Sequence, residues 1–323
     1  MPIAPKFYGM TEDQLKAVDA KLENQRAFLE NSVLVDNHTG EALNLKNAVI
    51  SAYHSPHRFY GEIQNRVNTL VQVAFERNLK PLFLTLTLPS RFHAMKEKKG
   101  QLVPNPRYDG TKPKKAAQEL TRKLARLRQD RSLKGLSVKD RIYFRAIEPH
   151  EDGTPHLHLL LFVPPATAPL VTEAFKRLYH ANTHERKANT IEVIEGEAEN
   201  AVRYVMKYIN KVLPLSKAEP ITEKERYLHA WYSLHRISRF SSSRSLAPLG
   251  LYRLLHNRFS LYALTKVKPS LTILEPIDQR KIVEVLDGDE VIYERYENFT
   301  LTTGSRRWRE RIASEKSLWK EAG

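Results

Sequence analysis

Residues 143–162, YFRAIEPHEDGTPHLHLLLF, read as two extended segments joined by a turn. Residues 143–147 are extended and largely apolar, Pro149-His150-Glu151-Asp152-Gly153 turns, and residues 156–163 are extended again. Asp152-Gly153 followed by Pro155, with apolar runs on both sides, specifies a hairpin. Side chains alternate along a strand, so His156 and His158 leave one face while Leu157 points into a core. Two imidazoles side by side on a rigid strand are half of a divalent-metal site. The third ligand is expected from the neighbouring strand or the turn. Glu148 ends the first strand and folds back towards the histidines; Glu151, Asp152 and His150 are the alternatives. The competing reading of the pair is two histidines satisfied structurally.

A second pattern lies downstream. Residues 201–211, AVRYVMKYINK, precede Pro214 and predict a helix. At 3.6 residues per turn, Tyr204, Tyr208 and Lys211 share one face, with Lys207 at its edge. Val202, Val205, Met206 and Ile209 supply the apolar sides. Paired tyrosines commonly pack a core, but tyrosines interleaved with lysines are poor core material, because lysine is rarely buried without a partner.

Together these blocks resemble the HUH superfamily of single-strand DNA nickases. Within it they are similar to the two-tyrosine rolling-circle replication initiators, the replication gene A proteins of bacteriophages and their relatives in filamentous phages. Three blocks carry the likeness, in order: FLTLTLPSRFHA at residues 83–94, the metal-type stretch at 148–162, and YxxxYxxK at 204–211. NPRYDG at residues 105–110 has the same character. The resemblance covers roughly residues 80–215. It implies an α+β fold: an antiparallel sheet with helices on one face, an RRM-like split β-α-β core, and a metal on the open face.

The chain has 323 residues, ample for one large or two modest domains. Its 52 Lys+Arg against 37 Asp+Glu give a formal charge of +15, which favours a polyanionic partner, nucleic acid before membrane. The absence of cysteine excludes disulfides, cysteine-based zinc fingers and thiol chemistry, and fits a reducing compartment. The first residues show no apolar signal core, and no apolar run is long enough to span a bilayer, so a cytoplasmic location is expected.

Three regions are expected: a helical N-terminal region (1–78), an endonuclease domain (79–215) and a mixed C-terminal region (216–323) concerned with DNA or partner binding. Thr11-Glu12-Asp13-Gln14 is a capping-box pattern opening a helix to about Glu30. Residues 33–45 read as loop or short hairpin. A helical segment over 50–78 is broken at His54-Ser55-Pro56-His57, where the histidines are spare ligands or turn residues. In LFLTLTL (82–88), Thr85 and Thr87 face one way, towards the histidine groove, and Leu84, Leu86 and Leu88 the other. His93 lies beside the exit of that strand, a DNA contact or a surface residue. Residues 96–115 read as a long exposed loop. Residues 116–130 form a helix with Leu120, Leu124 and Leu127 inward and Arg122, Lys123, Arg126 and Arg128 outward. Lys112, Lys114, Lys115, Arg122 and Arg126 are candidate phosphate contacts, since such cations release counterions from DNA; the alternative is a solvated face. A helix over 170–181 and a strand over 190–194 complete the core pattern, and past Pro214, where the composition shifts, residues 222–237 form a helix of the C-terminal region. RISRFSSSR (236–244) is a strand clamp or a linker. Residues 251–264 are amphipathic, 282–296 form a hairpin around Asp287-Gly288, and 306–320 form a charged helix with Trp308 and Trp319.

The resemblance implies a chemistry. A phenol with a pKa near 10 is about one part in a thousand ionised at pH 7, so the attack needs help. Mg²⁺ or Mn²⁺ on His156, His158 and Glu148 would polarise the scissile phosphate. Lys211 and Lys207 would add positive charge. One tyrosine would form a 5′-phosphotyrosine and free a 3′-hydroxyl for a polymerase. The bond energy is retained, so rejoining needs no ATP. No GxxxxGK[ST] phosphate loop occurs in the sequence, so helicase action is expected from a host partner. Two tyrosines one turn apart would alternate through successive cleavages of single-stranded or supercoiled origin DNA. The rival readings are a plasmid or transposon nickase of the same superfamily, a non-catalytic DNA-binding protein with structural histidines, and a zinc hydrolase that cuts with water.

Overall fold

Alternation along the apolar segments decides how the central sheet forms. The computed structural model describes residues 5–36, 40–196, 198–213, 221–243, 247–255, 258–274, 281–287, 289–296 and 299–303. In chain order the first elements are α1 (Glu12–Glu30), β1 (Ser32–Asp36), β2 (Ala42–Asn44), α2 (Leu45–Ala48), α3 (Pro56–Glu76) and β3 (Lys80–Leu86). Then come β4 (Met95–Lys98), β5 (Gln101–Pro104), α4 (Pro113–Gln129), α5 (Arg131–Lys134), β6 (Ile142–Pro149), β7 (Pro155–Val163), α6 (Ala168–Tyr179), α7 (Thr183–Ala188), β8 (Thr190–Val193) and α8 (Ala198–Val212). The last are α9 (Glu223–His235), β9 (Phe240–Ser242), α10 (Leu249–Leu255), α11 (Leu261–Val267), β10 (Leu271–Leu274), β11 (Lys281–Asp287), β12 (Glu290–Tyr296) and β13 (Phe299–Thr303).

Five strands make one antiparallel sheet in the order β8-β3-β7-β6-β9. The run β3-α4-β6-β7-α6-β8 is the split β-α-β arrangement, with β9 added at one edge. Register sorts the side chains. His156, His158, Leu160 and Phe162 of β7 lie beside Glu148, Ala146, Phe144 and Ile142 of β6. Thr85 and Phe83 of β3 pair with His158 and Leu160, so they stand on that same face. Leu157, Leu159 and Leu161 share the opposite face with Leu82, Leu84 and Leu86.

The fold is α+β, as expected. The two crossover helices keep to one face: Arg145, beside Leu159 in the register, reaches Thr121 of α4, and the Tyr179 hydroxyl of α6 donates to the Lys123 carbonyl. The other face is also covered, a departure from helices on one side only. Phe75 of α3 meets Phe162 edge-on with ring centroids 6.5 Å apart, and α8 packs its tyrosines on Phe83. The cause is in the strands, whose residues are largely buried on both faces and so need cover on both.

By contacts the chain divides into two units, Met1–Val18 with Tyr60–Pro248, and Asp19–Phe59 with Leu249–Gly323. These divisions do not coincide with 78/79 and 215/216: residues 60–78 and 216–248 belong to the unit with the five-stranded sheet. The apolar stripe of α3 explains the first difference, since Ile63, Val67, Leu70, Val71 and Ala74 are buried. The other unit contains the sheets β13-β1-β2 and β10-β11-β12.

Several local expectations hold. Thr11 and Gln14 make the reciprocal capping bonds that open α1. Within 33–45, β1 and β2 pair antiparallel, as the short hairpin reading expects, and β1 also pairs with β13; β11 and β12 pair as expected for 282–296. Others change. Residues 96–115 are not one long loop, because Lys98 pairs with Gln101 across Lys99-Gly100, both at positive φ (52° and 78°), closing the β4–β5 hairpin. Within RISRFSSSR, Phe240–Ser242 form β9, the fifth strand, and Arg239 is buried, so the segment is not a plain linker. Lys123 does not point outward: its Nζ donates to the Thr87 carbonyl at 2.8 Å. The segment 251–264 splits into α10 and α11, the second capped by Ser260. The helix expected at 306–320 lies outside the described residues. Among the described residues no helix is long and apolar enough to cross a membrane.

Candidate active site

The β6–β7 hairpin places Glu148 directly opposite His156. Glu148 Oε2 lies 3.6 Å from His156 Nε2 and 3.8 Å from His158 Nε2, beyond hydrogen-bond distance. The three residues can offer ligand atoms all within 4.8 Å of one another, the one such cluster among the described residues. Metal bonds of about 2.1 Å at right angles put neighbouring ligands roughly 3 Å apart, so a small closure would bring these atoms onto one ion. Two buried polar atoms here, Glu148 Oε1 and His156 Nδ1, have no hydrogen-bond partner. A carboxylate that is only 7% exposed is costly to bury without compensation. Two imidazoles and a carboxylate fit a divalent cation.

The alternative third ligands are directed elsewhere. Glu151 pairs with Lys224 at 2.6 Å. Asp152 accepts from Thr154 and lies 3.2 Å from His93 Nδ1. His150 lies beside His156, the rings tilted at 36° with centroids 4.3 Å apart, outside the cluster.

Neutral histidines are what a metal requires. Burial, with His156 and Lys211 nearby, pushes the His158 pKa down to about 2. Burial, with His156 and His93 nearby, pushes His150 down to about 3. His158 Nδ1 lies 3.1 Å from Thr85 Oγ1. With the proton on Nδ1 donating to Thr85, the Nε2 lone pair is left facing Glu148, the way a supporting residue orients a metal-bound imidazole.

Helix α8 buries Ala201, Val205 and Ile209, which turns Tyr204 and Tyr208 towards the sheet. Phe83 is the platform between them. Tyr208 stacks on it at 4.9 Å and 22°, and Tyr204 meets it edge-on at 4.6 Å. The Tyr208 ring is 4.0 Å from the ring of His158, and Lys211 Nζ lies 5.1 Å from the Tyr208 ring. The Tyr204 hydroxyl donates to Glu192 Oε2 of β8 at 2.9 Å. Burial first, then that carboxylate, push the Tyr204 phenol up, while burial and the Glu148 charge raise Tyr208.

Of the residues singled out from sequence, Glu148, His156, His158, Tyr208, Tyr204, Lys211 and Thr85 converge. Lys207 is exposed at the edge of the helix. Thr87 does not join the groove: its backbone N–H donates to Asn189 Oδ1 and its hydroxyl to the Ala188 carbonyl, anchoring the approach to β8. Lys112, Lys114 and Lys115 are exposed at the start of α4, and Arg126 is exposed further along it. Arg122 is exposed too and pairs with Glu119. Because α4 covers the leucine face, the structure does not bring these cations to the histidines. Two residues of the site were not singled out. Phe83 shares the parity of Thr85 and was legible from it. Glu192 shares the parity of Thr190, but only pairing with β3 gives that parity a location.

Comparison with known proteins adds a family. Residues 10–214 match the family model of the bacteriophage replication gene A protein (GPA). The replication gene A protein of Escherichia phage P2 is 26% identical over 284 residues, which cover 82% of this chain and 36% of that protein. A "probable replication endonuclease from prophage-like region 1" of Salmonella typhi is 28% identical over 243 residues, 70% of this chain and 29% of its own length. The chain thus spans about a third of the length of these curated relatives. No solved structure matches it.

Proposed function

The chain belongs to the bacteriophage replication gene A protein family, and on that premise we propose that it is a phage-type replication endonuclease that nicks and rejoins one DNA strand through a phosphotyrosine. The observation that carries this reading is Tyr208, whose ring lies 4.0 Å from that of His158 in the Glu148-His156-His158 cluster. A nucleophile and a phosphate-activating cluster are useful only when adjacent.

In the proposed step the Tyr208 oxygen attacks the scissile phosphorus and loses its proton to solvent, while the P–O3′ bond breaks and the 3′ oxygen keeps the electron pair and takes a proton from solvent. The products are a 5′-phosphotyrosine and a 3′-hydroxyl that primes synthesis. Attack by a 3′-hydroxyl reverses the sequence and releases the tyrosine. Glu148, His156 and His158 would hold Mg²⁺ or Mn²⁺, which when bound supplies charge against a phosphate oxygen. Thr85 holds the His158 ring, Phe83 aligns both phenols, and Lys211 sets positive charge beside Tyr208. Tyr204, on the same helix face, serves the second cleavage, which a continuing rolling circle requires before the first end is released. The substrate is single-stranded or supercoiled origin DNA in the host cytoplasm, with a host helicase and polymerase acting after the nick.

The test mixes the protein with labelled single strands pooled from the replicon that encodes it, adds Mn²⁺, and resolves the products under denaturing conditions. A shifted band that resists denaturation, and disappears with EDTA and in the Tyr204→Phe/Tyr208→Phe double variant, is expected. Cleavage without such a band would assign the attack to water. Binding without cleavage would leave a DNA-binding protein.

A further inference from the structure

Tyr204 and Tyr208 are chemically identical but stand in different surroundings. Tyr208 lies against His158, with Lys211 near its ring. Tyr204 is turned to the edge strand, where its hydroxyl donates to Glu192 Oε2 at 2.9 Å. Glu192 is fixed there by register: β8 pairs with β3 so that Glu192 stands opposite Phe83, the ring on which both tyrosines rest. The carboxylate is exposed, so its upkeep does not depend on the protein core.

We propose that Glu192 is the proton acceptor for Tyr204, giving the second tyrosine its own route of activation. The proposal rests on the phosphotyrosine reading above. The Tyr204 phenol is held above its ordinary value by burial and by this carboxylate, so a preformed phenolate is scarce near neutral pH and a base already in contact is the remaining means of attack. The Tyr204 O–H bond breaks and the proton passes to Glu192 Oε2 as the Tyr204 oxygen bonds to phosphorus. The P–O3′ bond breaks, and the departing 3′ oxygen keeps the electron pair and takes a proton from solvent. On rejoining, the 3′-hydroxyl loses its proton to solvent and attacks, the bond from phosphorus to Tyr204 breaks, and Glu192 returns its proton to the phenol. Geometry already meets the requirement that a general base lie within hydrogen-bond reach of the proton it removes.

Among the described residues, Tyr204 donates to Glu192, with Tyr208 behind it on α8. On β3 the residue opposite is Phe83, and the one cation of that strand, Lys80, pairs with Glu195 at 2.9 Å.

The experiment uses the full chain with labelled single strands from its replicon and Mn²⁺. The covalent products are digested, and the ratio of Tyr204-linked to Tyr208-linked peptide is read by mass spectrometry. Glu192→Gln is expected to lower that ratio on the order of a hundredfold, and Glu192→Asp to restore part of it. In the Tyr208→Phe background, the Tyr204 rate should be nearly flat around neutral pH with Glu192. With Gln it should climb about tenfold per pH unit, as expected when only ionised phenol attacks. The change should fall on kcat and leave KM for the strand in place. An unmoved ratio overturns the proposal, as does equal loss of both adducts or a Tyr208→Phe protein that forms no Tyr204 adduct. Cleavage by the unsubstituted protein without any adduct overturns the phosphotyrosine reading itself, a result visible before Glu192 is changed.

Discussion

On one face of β7, His156 and His158 stand between Glu148 of β6 and Thr85 of β3; on the other, Leu157, Leu159 and Leu161 pack with Leu82, Leu84 and Leu86 under α4. Both faces come from the same strands by the same alternation, and both are covered by helices. They differ in what the covering helix presents. α4 offers Leu120, Leu124 and Leu127, whereas α8 offers Tyr204 and Tyr208. The leucine face is stabilised by removing apolar surface from water. The histidine face buries a carboxylate atom without a hydrogen-bond partner, an arrangement that costs stability and makes sense as a place kept ready for a cation. A protein can therefore hold chemistry and core back to back on a single strand, provided the two faces answer to different selections.

The sharpest way to break this comparison is to substitute one residue on each face. Glu148→Gln is expected to lower metal-dependent adduct formation on the order of a thousandfold, while its urea midpoint in EDTA equals or exceeds that of the unsubstituted protein, because an uncompensated buried charge is gone. A large loss of stability in EDTA would mean that the carboxylate is structural. Leu159→Ala should do the reverse, costing about 2–5 kcal/mol in urea unfolding with activity per folded molecule retained.

A smaller effect separates the two candidate DNA surfaces. Lys211→Ala should slow adduct formation roughly tenfold to a hundredfold, as expected for a charge near the developing transition state. Arg126→Ala, on the helix covering the leucine face, should change only strand affinity, by about twofold to threefold, and reduce its salt dependence slightly. Equal rate effects would bring α4 into the path of the strand.

Another effect on the histidine face is in acid. Folding lowers the pKa of His158 to about 2 and of His150 to about 3, both chiefly through burial, against roughly 6.5 in an unfolded chain. Their contribution is complete above about pH 6.5 and is lost as pH falls towards 3 and then 2, because the unfolded chain takes up the protons first. Urea midpoints should therefore drop from pH 7 to pH 5. His158→Ala should flatten that slope by up to about 1.4 kcal/mol per pH unit.

The β6–β7 hairpin, the α8 stripe and the capping box at Thr11 were legible because each is written in consecutive residues. The β4–β5 hairpin was hidden behind an unusual turn pair, Lys99-Gly100, in a stretch whose lysines read as solvated loop. Lys123 and Arg239 were misplaced or unresolved for a related reason. Charge predicts exposure until a partner is known, and their partners, the Thr87 carbonyl and His229 Nδ1, belong to other elements.

By itself the sequence determined the α+β class, the face shared by His156 and His158, the face shared by Tyr204 and Tyr208, and the likeness to a family. The two faces are matters of period, two in a strand and 3.6 in a helix, and the class and the likeness follow from the order of strands, helices and motifs; both are local or sequential. Only the tertiary structure decided that Phe83 is the platform, that Thr85 and not Thr87 supports a histidine, that Tyr204 meets Glu192, and that α4 covers the leucine face. Each of these depends on the register between strands or on which helix packs against which face, and that is set by burial summed over the whole sheet, which no single stretch of the chain contains.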